Sequence, residues 1–190
     1  MAGNPPHMLQ PDIARSVDDL KQILALQRQN LKQFVSEAER NSQGFVTLEH
    51  DLATLQQMNE LAPHVVIRDQ DRIVAYALSQ LKESREIQAD LAPLFIMLDS
   101  LEWNGRPLHS IDYYVMGQVC IGEAYRGKGL FEQLYTHHKE VYQSRFELFI
   151  TEISTSNPRS LRAHEKLGFR PLHTYRDHLD EWSVVGWDWN

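Results

Sequence analysis

At 190 residues, with 42% hydrophobic and 24% charged residues, the chain has the composition of one compact domain with a substantial buried core. Its formal charge of −7 argues against a nucleic-acid-binding surface and favours a cationic small substrate or a basic peptide. The single cysteine, Cys120, excludes an internal disulfide and a cysteine-based metal cluster; with no apolar run of membrane-spanning length and no signal-peptide pattern, a cytoplasmic protein without membrane contact is expected.

Residues 1–10, with Pro5, Pro6 and a junction-like His7-Met8 pair, read as a flexible leader, and residues 11–190 as a single domain. Ser16 and Asp19 make a capping box ahead of Leu20, Ile23 and Leu24, which recur at helical spacing. A polar interval ends in Gly44-Phe45-Val46-Thr47. Thr47 is placed to cap a second helix carrying Leu48, Leu52, Leu55 and Met58, stopped near Pro63. Residues 64–68 and 72–81 read as a hairpin turned by Asp69-Gln70-Asp71. Residues 82–110 hold an apolar cluster from Leu91 to Leu98 and a turn signal at Asn104-Gly105, and read as a short helix and loop over the sheet edge.

Residues 111–121 form a long strand candidate, followed by a glycine loop and a helix to about Arg145. Residues 147–154 make a second buried strand. Asn157-Pro158 then opens another helix, with Asn as N-cap and Pro in the first turn, and Gly168 closes it. Two strands, 170–175 and 181–189, finish the chain. The order predicts a mixed α/β sheet with no internal repeat and no dividing linker.

The most informative run is 119–131, an apolar strand that enters Arg126-Gly127-Lys128-Gly129 and then Leu130-Phe131 at a helix start. Unpaired N–H groups at a helix N-terminus, a helix dipole of the same sign and glycines that admit close approach together make an anion site; Arg126 and Lys128 add charge suited to phosphate. A second signal follows on the next helix: Asn157-x-x-Ser160-x-x-x-His164-Glu165-Lys166-Leu167-Gly168-Phe169.

Together the two motifs resemble the GCN5-related N-acetyltransferase (GNAT) family, from residue 47 to the C-terminus and most strongly over 115–169. The resemblance implies an acyl-CoA N-acyltransferase fold, a mixed and mostly antiparallel central sheet with flanking helices. It also implies direct transfer of acetyl from acetyl-CoA to a primary amine, without an acyl-enzyme. Backbone amides of Arg126, Gly127, Lys128, Gly129, Leu130 and Phe131 would hold the CoA pyrophosphate. Gln118, Val119 and Ile121 would meet the pantetheine arm, and Asn157 and Ser160 would contact CoA. Phe131 stands where the family pattern ends in Gly or Ala, which reshapes the phosphate contact but keeps the N–H.

Glu152, near the end of its strand and sharing a face with Leu148 and Ile150, is the candidate base: a carboxylate on an apolar face has a raised pKa. A solvated strand-end carboxylate is the alternative, and Glu123 and Asp112 are weaker candidates. His164 occupies the position where the family often carries a tyrosine near the CoA sulfur, so it is either a thiol-side acid or a packed helix histidine. Cys120, between apolar residues, reads as packing, and His137-His138 as surface. No metal motif is present.

Phe45, Tyr113 and Tyr114 are candidate acceptor-pocket residues. The aromatic tail, Trp182, Trp187 and Trp189, reads as core or homodimer packing, with stacking on a cation as a further use. The acceptor is a small-molecule or peptide amine. The competing functions are a non-catalytic CoA-sensing module and an N-acyltransferase for longer acyl-CoA.

Overall fold

A computed structural model describes residues 9–31, 49–178 and 180–189. A seven-stranded sheet forms the centre: β1 (Leu9–Ile13), β2 (Val65–Asp69), β3 (Arg72–Gln80), β6 (Tyr113–Ile121), β7 (Leu148–Ser154), β9 (Glu181–Asp188) and β8 (Arg170–Arg176), in that spatial order. Only β6 and β7 run parallel; the other five pairings are antiparallel. The sheet is therefore mixed and mostly antiparallel, as the motifs imply. β1 includes Leu9 and Gln10, paired with Asp69 and Arg68, so the expected leader overlaps a sheet strand.

Helix α1 (Val17–Gln29) starts at the Ser16/Asp19 capping box, with both reciprocal hydrogen bonds made. Helix α2 (Leu52–Leu61) is capped by Asp51, whose carboxylate accepts from the Thr54 N–H, in place of the expected Thr47 cap; Thr47 and Leu48 lie outside the described residues. Both helices pack Leu20, Ile23, Leu24 and Leu55 against Val66, Tyr76 and Leu78 of the sheet.

After β3 the chain makes α3 (Ser84–Ile87) and α4 (Ala92–Asp99). A small hairpin follows, β4 (Glu102–Trp103) and β5 (Arg106–Pro107), turned by Asn104 and Gly105 at positive φ. This segment does not lie over an edge. Phe95, Leu98, Trp103 and Leu108 pack on Tyr113, Val115, Leu148, Ile150 and Val184, at the centre of the face that α1 and α2 also cover.

The opposite face is covered by α5 (Leu130–Tyr142) and α6 (Pro158–Leu167), where Leu134, Tyr135, Tyr142 and Phe169 meet Tyr114, Met116, Phe149 and Ile153. His138, expected at the surface, is fully buried there. It sits four residues after Leu134 on the inward stripe of α5, and its Nδ1 meets the Tyr114 hydroxyl at 3.0 Å. His137, one residue round the helix, pairs with Glu140. Among the described residues no helix is long and apolar enough to cross a membrane.

Candidate active site

The parallel pairing of β6 and β7 spans Tyr113–Val115 against Leu148–Ile150 and goes no further. Beyond it the strands part, and at the point of parting the Thr151 hydroxyl donates to the Met116 carbonyl at 3.0 Å. From there Gln118, Val119 and Ile121 run towards the glycine loop without pairing to β7. A parallel pair that separates opens main-chain donors and acceptors into a slot, and unpaired backbone groups require a partner.

The parting is helped by a bulge. Ala77 pairs with Val119 and Ser79 with Met116, so Leu78 alone opposes Gly117 and Gln118. A two-against-one bulge re-aims side chains, and Gln118 turns onto the α1 face. There its Oε1 accepts from the Tyr76 hydroxyl at 2.6 Å and from Gln27 Nε2 at 2.7 Å. Gly117 leaves room at this bend for the Gln80 side-chain amide: a Cβ there would come within 2.3 Å of it, so the flexible Gln80 side chain would have to move.

At the end of β6 a short 3₁₀ turn (Glu123–Tyr125) leads to Arg126, then to Gly127 at φ 74° and Gly129 at φ 77°. Gly129 is the N-cap of α5 and no side chain caps that helix start. The first-turn N–H groups of α5 are therefore available to an anion, with the positive end of the helix dipole behind them. Leu130 is buried, and the Phe131 ring turns inward against Tyr135 and His164 at 4.6 and 5.0 Å between centroids, leaving only its N–H for the loop.

The charged side chains flanking the loop are oriented differently from the phosphate-pairing role expected of them. Arg126 folds back, donating through Nε to the Ile121 carbonyl (3.1 Å) and through Nη2 to Asn30 Oδ1 (2.5 Å). Lys128 Nζ lies over the Tyr125 ring at 5.1 Å.

Asn157 caps α6, its Oδ1 accepting from the Ser160 N–H at 3.1 Å. One turn on, His164 is 2% exposed. Its Nδ1 lies 2.8 Å from the Ser160 carbonyl, which only accepts, so Nδ1 carries the ring proton. Nε2 therefore accepts from the Tyr135 hydroxyl at 2.6 Å. Burial holds the imidazole neutral, pushing its pKa down to about 4 against a small upward effect of the Ser160 carbonyl. In this arrangement both ring nitrogens are committed within the protein, and His164 has no N–H to offer a sulfur.

Glu152 lies on the other face of β7. It pairs with Val184 in β9 and accepts a 2.6 Å hydrogen bond from the Tyr175 hydroxyl of β8. Burial pushes its carboxyl above the ordinary value, the Tyr175 hydroxyl opposes that, and Asp177 adds to it. Trp182, opposite both Ser154 and Tyr175, brings an aromatic side chain onto the same face. Tyr113 shares that face, packing beside Ile150 and donating to Asp99 Oδ1 at 2.9 Å. Tyr114 does not: it is a core residue of the α5/α6 face, stacked on Phe149 at 4.7 Å. Phe45 lies outside the described residues. Cys120 is buried, with its thiol pushed up to about 12 by burial, which suits packing and not nucleophilic attack.

Tyr175, Gln27 and Asn30 were not singled out in the sequence. Tyr175 becomes visible only through the β7–β9–β8 register, which sets it two strands from Glu152; nothing local marks Gln27 or Asn30.

Residues 28–169 match the family described as the acetyltransferase (GNAT) family. No curated protein matches the sequence. The structure resembles the ribosomal-protein-S18-alanine N-acetyltransferase of Escherichia coli with TM-score 0.65 at 12% identity, covering 95% of this chain and 94% of that one. It also resembles yncA, a putative acetyltransferase from Salmonella typhimurium solved with its cofactor acetyl-CoA, with TM-score 0.62 at 14% identity and coverages of 96% and 95%. Arabidopsis thaliana Naa50 in complex with the bisubstrate analogue CoA-Ac-MVNAL gives TM-score 0.62 at 14% identity, with coverages of 95% and 99%.

Proposed function

The chain belongs to the GNAT acetyltransferase family, and from that premise we propose that it moves the acetyl group of acetyl-CoA directly to a primary amine of a small molecule or peptide, with Glu152 as base. Acetyl-CoA supplies the activated thioester. The fit of this chain to it rests on the β6–β7 parting and the uncapped start of α5, which offer main-chain partners to an extended arm and a diphosphate respectively. Amides from Gly127 to Phe131 bind the diphosphate, the β6 main chain from Gln118 to Ile121 takes the pantetheine, and Asn157 and Ser160 build the α6 end of the site. Two of the structural neighbours carry acetyl-CoA or a CoA–peptide conjugate, in line with this reading.

The acceptor approaches on the face that carries Glu152 and Tyr113. Its ammonium gives a proton to the Glu152 carboxylate; the free nitrogen attacks the thioester carbon, an N–C bond forms, the C–S bond breaks, and the second proton lost by the nitrogen goes to the departing thiolate. The products are an amide and CoA. His164, neutral and held between Ser160 and Tyr135, acts on the thiol side by fixing the Tyr135 hydroxyl and the packing of α6 on α5, and not as a proton donor.

The observation that carries the assignment is the half-buried, raised-pKa carboxylate of Glu152 beside the strand parting. The test is incubation with acetyl-CoA and a panel of amines, read by release of free thiol. We expect turnover with at least one acceptor, and Glu152→Gln to lower kcat by roughly 10²-fold or more while CoA affinity by calorimetry stays at the wild-type value. Binding of CoA with no thiol release for any acceptor would point to a sensing module. Preference for longer thioesters would assign the acyl specificity to the α4 cluster instead.

A further inference from the structure

We infer that the last turn of α1 positions the cofactor strand and its phosphate loop, with Gln27 and Asn30 as positioning residues; the inference rests on the CoA site proposed above. Gln27 lies in the last turn of α1 and Asn30 is its C-cap, three residues on and so on the same side of the helix. They are 0% and 7% exposed, which is unusual for these residue types and requires hydrogen-bond satisfaction. Each bonds one of the polar side chains of the segment assigned to CoA: Gln27 holds Gln118 in the bulge, and Asn30 holds Arg126 at the head of the loop.

The donor and acceptor roles follow from backbone groups that have no choice. The His50 N–H donates to Gln27 Oε1 at 2.8 Å, so the other end of that amide is Nε2. Its two hydrogens point at His50 Nδ1 (2.9 Å) and Gln118 Oε1 (2.7 Å). His50 is then a neutral ring protonated on Nε2, and Gln118 faces Gln27 with its oxygen, which also takes the Tyr76 hydroxyl. Both Nε2 hydrogens of Gln27 and its oxygen are thus engaged. In the same way, Asn30 Nδ2 donates to the Leu26 carbonyl at 2.8 Å, which turns its oxygen towards Arg126. No alternative orientation of these amides satisfies the set.

Functionally, the two anchors bracket the binding segment. The loop between Arg126 and α5 contains two glycines at positive φ and has high intrinsic backbone freedom. Fixing Arg126 on its N-terminal side, and Gln118 eight residues earlier, removes part of that freedom before ligand arrives and lowers the entropy cost of binding. Arg126 thus acts on CoA through the geometry of the loop, and Asn30 acts through Arg126.

The test is calorimetric titration of the full chain with CoA. Asn30→Ala and Arg126→Ala should each weaken binding about 10-fold, and the double variant should be no weaker than the worse single one, because both remove the same anchor. Asn30→Asp keeps an oxygen for the guanidinium but turns its other oxygen onto the Leu26 carbonyl, so it should restore only part of the affinity. Gln27→Ala should raise the acetyl-CoA KM with kcat at saturation unchanged, a split that general loss of folding would not give. Thermal midpoints recorded alongside separate misfolding from mispositioning. Wild-type CoA affinity in Asn30→Ala, or losses that multiply in the double variant, would overturn the inference while leaving the CoA site intact. An absence of any heat with the wild-type chain would overturn the site itself, and the inference with it.

Discussion

In the proposed mechanism Glu152 is the base, and its hydrogen bond from Tyr175 would then set the pH at which that base is ready. Tyr175 donates to Glu152 Oε2 at 2.6 Å and opposes the upward push of burial. A carboxylate that loses a donor becomes harder to ionise. In Tyr175→Phe the acidic limb of the kcat/KM profile should therefore move to higher pH, with the basic limb unmoved; a profile superimposable on wild type would disconnect Tyr175 from the base. His164 makes the contrasting case. Its sequence position suggested a proton donor, but Ser160 and Tyr135 occupy both ring nitrogens. Removing the ring leaves the fully buried Tyr135 hydroxyl without an acceptor, at a cost of about 1–3 kcal/mol. We expect His164→Phe to lower the urea midpoint accordingly. Adding Tyr135→Phe should recover part of the loss, since the orphaned hydroxyl goes with it; stability unchanged in the single variant would return His164 to a purely catalytic reading.

At the scale of elements, the loop between β6 and α5 carries the heaviest conformational demand. Gly127 and Gly129 sit at φ 74° and 77°, and a Cβ built at either meets nothing within 4 Å. The penalty for alanine is thus backbone strain alone, about 1–2 kcal/mol per site. Gly129→Ala should weaken CoA binding while changing the packing of α5 little, and thiol release should show a raised acetyl-CoA KM; affinity equal to wild type would mean that this turn does not shape the phosphate contact. The elements legible in the sequence are those whose signals are local: the Ser16/Asp19 box, the Asn157 cap, the Gly168 stop and the glycine loop all depend on neighbours within a few residues. What stayed hidden depends on pairing. The β6 bulge exists because Leu78 faces two residues, the parting of β6 from β7 because their ladder ends at Val115 and Ile150, and neither leaves a mark in the periodicity of one strand. The 82–110 segment was misplaced for the same reason: its apolar residues announce burial, but not that the partner is the centre of the sheet. His138 shows the limit of reading polarity as exposure, because a histidine on the inward stripe of a helix is buried with the stripe.

At the scale of the whole molecule, four histidines among the described residues, His50, His64, His138 and His164, are buried as neutral rings, and stability should follow. Burial is the leading cause in every case: it lowers His50 and His164 to about 4 and His64 and His138 to about 3, against weaker upward effects from Asp51, Ser160, Leu55 and Ala77 respectively. In the unfolded chain each titrates near 6.5. Between those values the unfolded state binds protons that the folded state refuses, so stability rises with pH through this window and is lost as pH falls. Each such proton is worth about 1.4 kcal/mol per pH unit, and total stabilities are about 5–15 kcal/mol, so four groups acting together decide the outcome. Asp19 extends the trend to lower pH: burial pushes it up, but Arg68 and the N–H groups of Arg15 and Ser16 outweigh that and bring it to about 2, a contribution present above the unfolded value and lost as it protonates. Glu152, with its raised carboxyl, runs the other way as a single group. The urea midpoint should therefore fall steeply from pH 7 to pH 5, with a proton uptake on unfolding at pH 5.5 of about three to four per molecule. Replacing His138 by glutamine, which cannot titrate, should remove about one proton from that uptake. A midpoint flat across this range would show that the four rings are not held neutral by the fold.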